Sequence, residues 1–354
     1  MKAVDPSIRL LAVGDNDMKW NRTVLRESGK NIDYLVIHHY NGTAEMKGDP
    51  LNLMARPLHY EKFYVDLRKM VREFVPGRDI RLAINEWNTS LPVPRQHSME
   101  SALYGARLMN VFERSDIVAL SAPSDMVNGW PGGLIQASRY GAFVTPIYLA
   151  TVLYSTHLGT DCLATRVESP TFDSTREGTG IPYLDVVVSR SADRKQIFIK
   201  AVNTDVARAM RTTIQFAGTT ISPQGILQTL TGENMTVANS FEMPNAVSIH
   251  QTTPRGGDVH GPSAEALGIR YHVECRRERH GRKRKLMLKV AATLVGGAAH
   301  RISYPPSIGG LFTKLGIVLA IYKLISHKSL YQRSLSIVMA LFGCRSLSAD
   351  LGTT

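Results

Sequence analysis

Short apolar segments alternate with helix-forming segments over residues 1–158, and this alternation limits the possible folds more than any other feature of the sequence. Four apolar segments predict buried strands, at 9–14, 34–38, 81–85 and 117–121. The segments between them, such as 98–114, carry apolar residues at helical spacing. Strands that alternate with helices form a parallel sheet with right-handed crossovers. We therefore predict an α/β fold here, either a (β/α)8 barrel or a doubly wound sheet.

Polar residues follow each predicted strand: Asp15 and Asn16, His38 and His39, Asn85 and Glu86, and Ser124 and Asp125. In both fold classes the carboxyl ends of the strands form the active site. A carboxylate there suits glycoside hydrolysis, which uses two carboxylates about 5–5.5 Å apart when configuration is retained. Glu86 is the strongest candidate, because its neighbour Trp87 is an aromatic residue of the kind on which sugars stack. The alternative is that Glu86 is an ordinary loop residue.

The sequence His38-His39-Tyr40 ends the second predicted strand. Adjacent side chains on a strand point in opposite directions. We therefore expect one histidine to face the site and the other to pack against a helix. His38 or Tyr40 is then placed to hydrogen-bond the nucleophile or a sugar hydroxyl, although a histidine buried only for packing is an open alternative.

Asp125 and Asn128 follow the fourth predicted strand and precede the sequence Trp-Pro-Gly-Gly at 130–133. They are candidates to line the pocket from its last strand. A polar loop with a Pro-Gly turn is the alternative.

The sequence contains no motif for a metal or a cofactor. A His-Glu-x-x-His pattern, a phosphate-binding glycine loop and a Gly-x-Ser-x-Gly elbow are all absent from it. We therefore predict neither a metal nor a cofactor at this site.

Residues 159–253 have a different pattern from the first 158. Short segments rich in β-branched residues are separated by turns, at 162–168, 184–189, 196–202, 211–216, 226–230 and 246–250. Such a pattern predicts an antiparallel β-sandwich. Residues 254–354 change character again, and we predict an irregular basic tail for them.

The net charge of +12 is concentrated in this tail. Residues 1–253 contain 26 basic and 25 acidic side chains, whereas the last 101 residues contain 16 and 5. The main body therefore gives no indication of a nucleic-acid partner. The basic run at 276–285 leaves a nucleic-acid or membrane-surface role open for the tail alone. The apolar segment 311–325 is interrupted by Lys314 and Lys323, so it does not predict a membrane span.

The three cysteines are far apart, and the sequence begins without the apolar core of a signal peptide. A disulfide framework is not expected, and a reducing compartment fits better. We predict a cytoplasmic location.

Five motifs, in order, resemble glycoside hydrolase family 51, the α-L-arabinofuranosidases: Gly14-Asp-Asn16, Trp20-Asn-Arg22, Ile37-His-His-Tyr40, Ile84-Asn-Glu-Trp-Asn88 and Ser124-Asp-Met-Val-Asn128. The resemblance extends over residues 1 to about 250 and implies a (β/α)8 barrel followed by a β-sandwich. Residues 1–158 would then hold only the last four barrel strands. Such a half-barrel leaves two exposed parallel edges.

Family members remove terminal arabinofuranosyl groups from arabinan and arabinoxylan, without a cofactor and often as oligomers. The resemblance implies that Glu86 is the nucleophile and that His38 and Tyr40 contact it or the sugar. Asn85 and Trp87 are expected at the substrate.

The loop residues Asp125 and Asn128 match a family loop that borders the pocket. The family's acid/base glutamate follows the fourth barrel strand, ahead of the point where this sequence begins. We therefore expect the isolated chain to be weak or inactive. Another barrel glycosidase, such as an endoglucanase, and a non-catalytic carbohydrate-binding fragment are the competing interpretations.

Overall fold

The computed structural model describes residues 1–210, 212–217, 221–252, 270–274 and 286–294. All of them belong to one compact unit, Met1–Ala299. The basic run at 276–285 and the apolar segment at 311–325 lie outside the described residues.

A four-stranded parallel sheet forms the first part of this unit. Its strands are β1 (Leu11–Val13), β2 (Tyr34–Gly42), β3 (Arg81–Ser90) and β4 (Val118–Ser121), which lie side by side in chain order. All three neighbouring pairs are parallel. The predicted parallel α/β arrangement is therefore confirmed, while closure of a barrel around it stays a prediction.

Five α-helices accompany the strands among the described residues: α1 (Met18–Ser28), α2 (Thr43–Met46), α3 (Pro50–Phe74), α4 (Met99–Arg114) and α5 (Pro146–Thr156). Two short 3-10 turns lie at Gly29–Asn31 and Arg95–His97. The Ser98 side chain accepts a hydrogen bond from the backbone N–H of Glu100 and thereby caps α4. The cap of α1 is Asp17, whose side chain accepts a hydrogen bond from the backbone N–H of Lys19.

Helix α4 is the centre of the hydrophobic core. Its residues from Met99 to Phe112 are all buried. It packs against α3, α5 and β3, and against two strands of the following β-sheet domain. Each fully buried leucine, such as Leu103 or Leu108, contributes about 1.5–3 kcal/mol. A helix buried on all sides therefore joins the parallel sheet to the second part of the chain.

The described residues beyond β4 form two hairpins and two larger sheets. The strands are β5 (Ile135–Ser138), β6 (Gly141–Val144), β7 (Asp161–Cys162), β8 (Thr165–Val167), β9 (Thr171–Ser174), β10 (Gly178–Pro182), β11 (Leu184–Arg190), β12 (Gln196–Asn203), β13 (Thr213–Ala217), β14 (Ile221–Thr231), β15 (Ser248–Thr252), β16 (Arg270–Glu274) and β17 (Leu286–Leu294). The larger sheets have the orders β15-β14-β17-β12-β11-β7 and β13-β16-β8. Strands overlap all six predicted segments, but the hairpins β5–β6 and β9–β10 were not predicted.

The second domain extends beyond the predicted boundary at residue 253. Strand β17 pairs in parallel with both β12 and β14, and β16 pairs in parallel with β13. The two larger sheets are therefore not purely antiparallel, and two segments of the predicted irregular tail are strands in them. The sequence Leu-Met-Leu-Lys-Val at 286–290 is compatible with a sheet interior. The strongly basic run just before it, at 276–285, hides this pattern in the sequence.

Buried polar contacts fasten α4 to the second domain. Lys200 on β12 is 1% exposed and forms an ion pair with Glu113 of α4. Burial lowers the pKa of the Lys200 amine and raises the pKa of the Glu113 carboxyl. The Arg107 guanidinium, also buried, donates to the carbonyl oxygen of Pro182 at 2.6 Å. Each of these charges depends on its partner, because a buried charge without one is costly.

His39 packs against α3, on the opposite face of the sheet from His38. Its Nε2 lies 2.7 Å from the Tyr64 hydroxyl oxygen, and its ring lies 3.8 Å from the Tyr60 ring, centre to centre. Burial lowers the pKa of His39 to about 3. The prediction that the two histidines face opposite ways is confirmed.

Replacing Lys200 by alanine is expected to destabilise the protein by about 3–5 kcal/mol, because Glu113 then keeps a buried charge without a partner. Urea denaturation measures the free energy of unfolding. The control is Lys195→Ala, since the Lys195 side chain is 78% exposed; a change within about 0.5 kcal/mol is expected for it. Equal effects of the two substitutions would contradict the structural role of the pair.

His39 is expected to make stability depend on pH. The folded state disfavours the protonated His39 ring. The contribution of the neutral ring to the free energy of unfolding is therefore complete above about pH 6.5 and is lost as the pH falls toward 3. In His39→Gln, the slope of unfolding free energy against pH should decrease by up to about 1.4 kcal/mol per pH unit. Urea denaturation between about pH 7 and pH 4 measures that slope. The exposed His250, replaced by glutamine, is the control, and a slope unchanged in His39→Gln would refute the assignment.

Candidate active site

Glu86 lies near the carboxyl end of β3, beside an irregularity in the pairing of β2 with β3. Val36 pairs with Ala83, but His38 pairs with Glu86, so β3 contains one more residue than β2 over this stretch. An extra residue of this kind bends a strand and redirects its side chains. Asn85 is exposed, and the side chain of the next residue, Glu86, is 45% exposed. Simple alternation would have placed one of these two side chains in the core.

Two side chains of β2 contact the Glu86 carboxylate. The Tyr40 hydroxyl donates to Oε2 of Glu86 at 3.0 Å, and Nδ1 of His38 lies 3.4 Å from the same oxygen. On its other side the His38 ring places Nε2 3.0 Å from Oδ1 of Asn85. The structure thus brings four residues of the predicted site, His38, Tyr40, Asn85 and Glu86, into one hydrogen-bonded group.

Tyr40 stays protonated at neutral pH in this group. Burial raises the pKa of Tyr40 to about 12, and the nearby charges of Glu86 and Asp125 act in the same direction. The hydroxyl is therefore a permanent donor, and a hydrogen bond to a carboxylate is stronger than one between neutral groups. It holds one oxygen of Glu86 in place.

The first strand supports this group from the side. The Asn16 side chain donates to the carbonyl oxygen of His38 at 2.8 Å. Asp15 instead accepts a hydrogen bond from the backbone N–H of Asp17, so its role is in the turn that begins α1.

Trp87 does not lie in the site. Its side chain is 0% exposed, and its ring packs edge-on against Phe112 of α4, with 5.9 Å between ring centres. The strand resumes its alternation after Glu86, and Trp87 therefore points into the core. The predicted sugar contact of Trp87 does not fit this position.

The loop after β4 reaches the site with Asp125 but uses Asn128 for its own structure. Asp125 is exposed, accepts a hydrogen bond from the Ser124 hydroxyl at 2.9 Å, and is close enough to Tyr40 to influence its pKa. Both ends of the Asn128 amide bind the backbone of Ala137, at 2.8 and 3.0 Å. Asn128 therefore shapes the loop, and Asp125 is the residue that borders the site.

Two residues that the sequence did not single out also belong here. Asn88 is buried and donates to the carbonyl oxygens of Ser124 and Gly132, at 2.5 and 2.7 Å. Trp130 places its ring 5.9 Å from the Tyr40 ring, edge to face. The sequence feature that could have identified Asn88 is its position two residues after Glu86. For Trp130, that feature is the presence of an aromatic residue in the same loop as Asp125.

The described residues contain no group of three or more His, Cys, Asp or Glu side chains arranged to hold a metal ion. In the same residues, none of the helices has the length and hydropathy needed to cross a bilayer.

Known proteins resemble this chain over the region that contains the site. A family model described as the alpha-L-arabinofuranosidase C-terminal domain matches residues 85–262, half of the chain. An intracellular exo-α-(1→5)-L-arabinofuranosidase of Halalkalibacterium halodurans is 27% identical over 241 residues, which cover 57% of this chain and 45% of that protein. An intracellular exo-α-L-arabinofuranosidase of Bacteroides ovatus is 23% identical over 253 residues, which cover 66% of this chain and 48% of that protein.

Solved structures agree with these relatives. The family 51 α-L-arabinofuranosidase of Thermotoga petrophila superposes with a TM-score of 0.62 at 27% identity, covering 72% of this chain and 55% of that chain. The α-L-arabinofuranosidase of Thermotoga maritima, solved as an arabinose complex, has a TM-score of 0.60 at 27% identity. The match covers 71% of this chain and 54% of that chain. This chain thus spans about half the length of the proteins it matches. On the matched residues, it belongs to the α-L-arabinofuranosidase C-terminal domain family, as its resemblance to glycoside hydrolase family 51 implied.

Proposed function

We propose that this chain provides the nucleophile of a retaining α-L-arabinofuranosidase, and that Glu86 is that nucleophile. The observation that carries the proposal is a half-exposed carboxylate at a strand end, bound on one oxygen by Tyr40 and His38. The names of the relatives and the arabinose complex of one neighbour support the sugar class.

The two oxygens of Glu86 have different roles in this proposal. Both contacts within the described residues go to Oε2. Oε1 is then the oxygen that attacks the anomeric carbon, and the glycosidic bond breaks as the new C–O bond forms. The departing oxygen takes a proton from a general acid. Water then attacks the glycosyl-enzyme, which releases the sugar with its configuration retained and frees the carboxylate.

Tyr40 assists by orienting the nucleophile. As a protonated donor it fixes the carboxylate plane without competing for Oε1. His38 and Asn85 extend the same network toward solvent, where sugar hydroxyls can replace water as partners. Asp125 borders the site from the loop after β4.

The substrates we propose are terminal α-L-arabinofuranosyl groups of arabinan-type or arabinoxylan-type chains. An intracellular location is proposed as well, since the names of two relatives state it.

The direct test is covalent trapping at Glu86. A 2,4-dinitrophenyl α-L-arabinofuranoside is the best substrate, because its leaving group departs without a proton and the result does not depend on a general acid. We expect release of dinitrophenolate, and mass spectrometry should find one arabinosyl group on the peptide containing Glu86. Glu86→Ala should lower the rate at least about 10³-fold.

The control for this experiment is Glu73→Gln, at an exposed position of α3, which should leave the rate unchanged. Equal rates of dinitrophenolate release by the Glu86→Ala protein and the unsubstituted protein would refute the assignment of Glu86 as the nucleophile. Sugar binding without any release or adduct would instead favour a non-catalytic carbohydrate-binding role. Activity restricted to aryl glucosides would favour an endoglucanase.

Replacing Tyr40 by phenylalanine should lower the rate of the same reaction by about 10- to 100-fold, since a hydrogen bond to a charged group contributes about 1.5–3 kcal/mol. The loss should appear in kcat more than in KM, because the hydroxyl orients the nucleophile. Steady-state kinetics measure both. Tyr34→Phe is the matched control, as Tyr34 begins the same strand at the end away from Glu86; an equal loss there would contradict the specific role of Tyr40.

A further inference from the structure

Trp130 borders the Glu86 site from the loop after β4. Its ring meets the Tyr40 ring edge to face, with 5.9 Å between centres and 68° between planes. It is neither fully buried nor fully exposed. Trp130 is therefore partly accessible to solvent, beside a residue that contacts Glu86.

Hydrogen bonds hold the turn that carries Trp130. Asn88 donates to the carbonyl oxygen of Gly132 at 2.7 Å, and Nε2 of His97 lies 2.6 Å from the carbonyl oxygen of Pro131. The backbone N–H of Gly133 donates to the carbonyl oxygen of Trp130 at 3.0 Å. Two of these donors come from outside the turn, so β3 and the segment after it fix the turn against the site.

Gly132 leaves room for the indole. A Cβ atom at this position would lie 2.1 Å from Cζ2 of Trp130, which is too short for two carbon atoms that are not bonded to each other. The indole therefore lies directly on the backbone of Gly132, and any larger residue there would displace it. Its position is built in before a ligand arrives, which lowers the entropy cost of binding.

We infer that Trp130 is the aromatic residue on which the arabinofuranosyl ring attacked by Glu86 stacks. Tyr40 joins the indole to the nucleophile, since it contacts Trp130 with its ring and Glu86 with its hydroxyl. The indole thus flanks the space on the nucleophile side of the sugar. The apolar C–H groups of the furanose ring suit an aromatic face, as in other binding sites lined by aromatic side chains. This inference rests on the proposed function.

The other two tryptophans are unsuited to this role. Trp87 is completely buried. Trp20 is 51% exposed, but its indole N–H donates to the carbonyl oxygen of Val13. Trp130 combines solvent access with contact to a residue of the site.

Binding in the absence of turnover tests the inference. The parent is the full chain with Glu86→Gln and Trp20→Phe, so that Trp130 and the buried Trp87 are the remaining indoles. L-arabinose and α-(1→5)-linked arabinotriose are titrated against it, followed by tryptophan fluorescence and by calorimetry. Both sugars should change the emission of Trp130. In Trp130→Ala both affinities should fall about 10-fold, whereas Trp130→Phe should retain most of the affinity.

Gly132→Ala provides a second variant, which keeps the indole but displaces it. This variant should also lower the affinity for both sugars. Thermal melting by circular dichroism verifies that the variants are folded. Unchanged affinities in Trp130→Ala, with binding intact in the parent, would overturn the inference and leave the proposed function standing. A loss confined to arabinotriose would overturn it too, because Trp130 would then contact the leaving-group sugar. Failure of both sugars to bind the parent would overturn the inference together with the arabinose specificity of the proposed function.

Discussion

The irregular pairing of β2 with β3 is the constraint on which the site depends. One extra residue in β3 places Asn85 and Glu86 on the open side in succession, and it aligns Glu86 with His38 across the two strands. With regular pairing, Glu86 and its hydrogen-bonding partners would not meet, because a shift of one residue turns every later side chain to the other face. The strand register therefore determines whether Tyr40 can donate a hydrogen bond to Glu86.

Buried hydrogen bonds behind the sheet keep this register in place. The hydroxyls of Tyr60 and Tyr104 both donate to the side-chain oxygen of Asn41, each at 2.7 Å, and Asn41 follows Tyr40. The hydroxyl of Thr89 lies 2.7 Å from that of Ser101 on α4. The strand ends that carry the site are thus tied to the helices by polar contacts of fixed geometry, whose loss would leave unsatisfied groups in the core. Helix α4 is in turn fastened to the second domain through Glu113 and Lys200.

Local sequence rules predicted much of this arrangement and failed where the structure departs from them. Periodicity located the parallel strands, and alternation on β2 correctly separated His38 from His39. The same alternation, applied to β3, would have excluded Trp87 from the side of Glu86. It would also have excluded Asn85, which the irregular pairing brings to that side. A register shift between two strands is a property of the pair, and neither strand sequence shows it alone.

The loop after β4 was harder to predict for a related reason. Its conformation is set by Asn88 and His97, which act on the backbone of Gly132 and Pro131 from outside the loop. Such long-range hydrogen bonds decide which loop side chains face the site, and they cannot be derived from turn composition. Strand β17 is a similar case, because its place between β12 and β14 depends on partners about 63–91 residues earlier in the chain.

Within the described residues, the side-chain contacts of the candidate nucleophile come from His38 and Tyr40 of β2, while Glu86 itself lies on β3. Those two strands are neighbours in the sheet, and α3 connects them along the chain. The geometry of Glu86 is therefore set by two adjacent strands, and the second domain contacts both helices α4 and α3, through β11 and β12 and through β9 respectively. A nucleophile positioned this way requires from the rest of a glycosidase a proton donor on the opposite face of the sugar and a surface that excludes water. The two strands already orient the oxygen proposed to attack, because Tyr40 and His38 both contact Oε2 and leave Oε1 without a protein partner among the described residues.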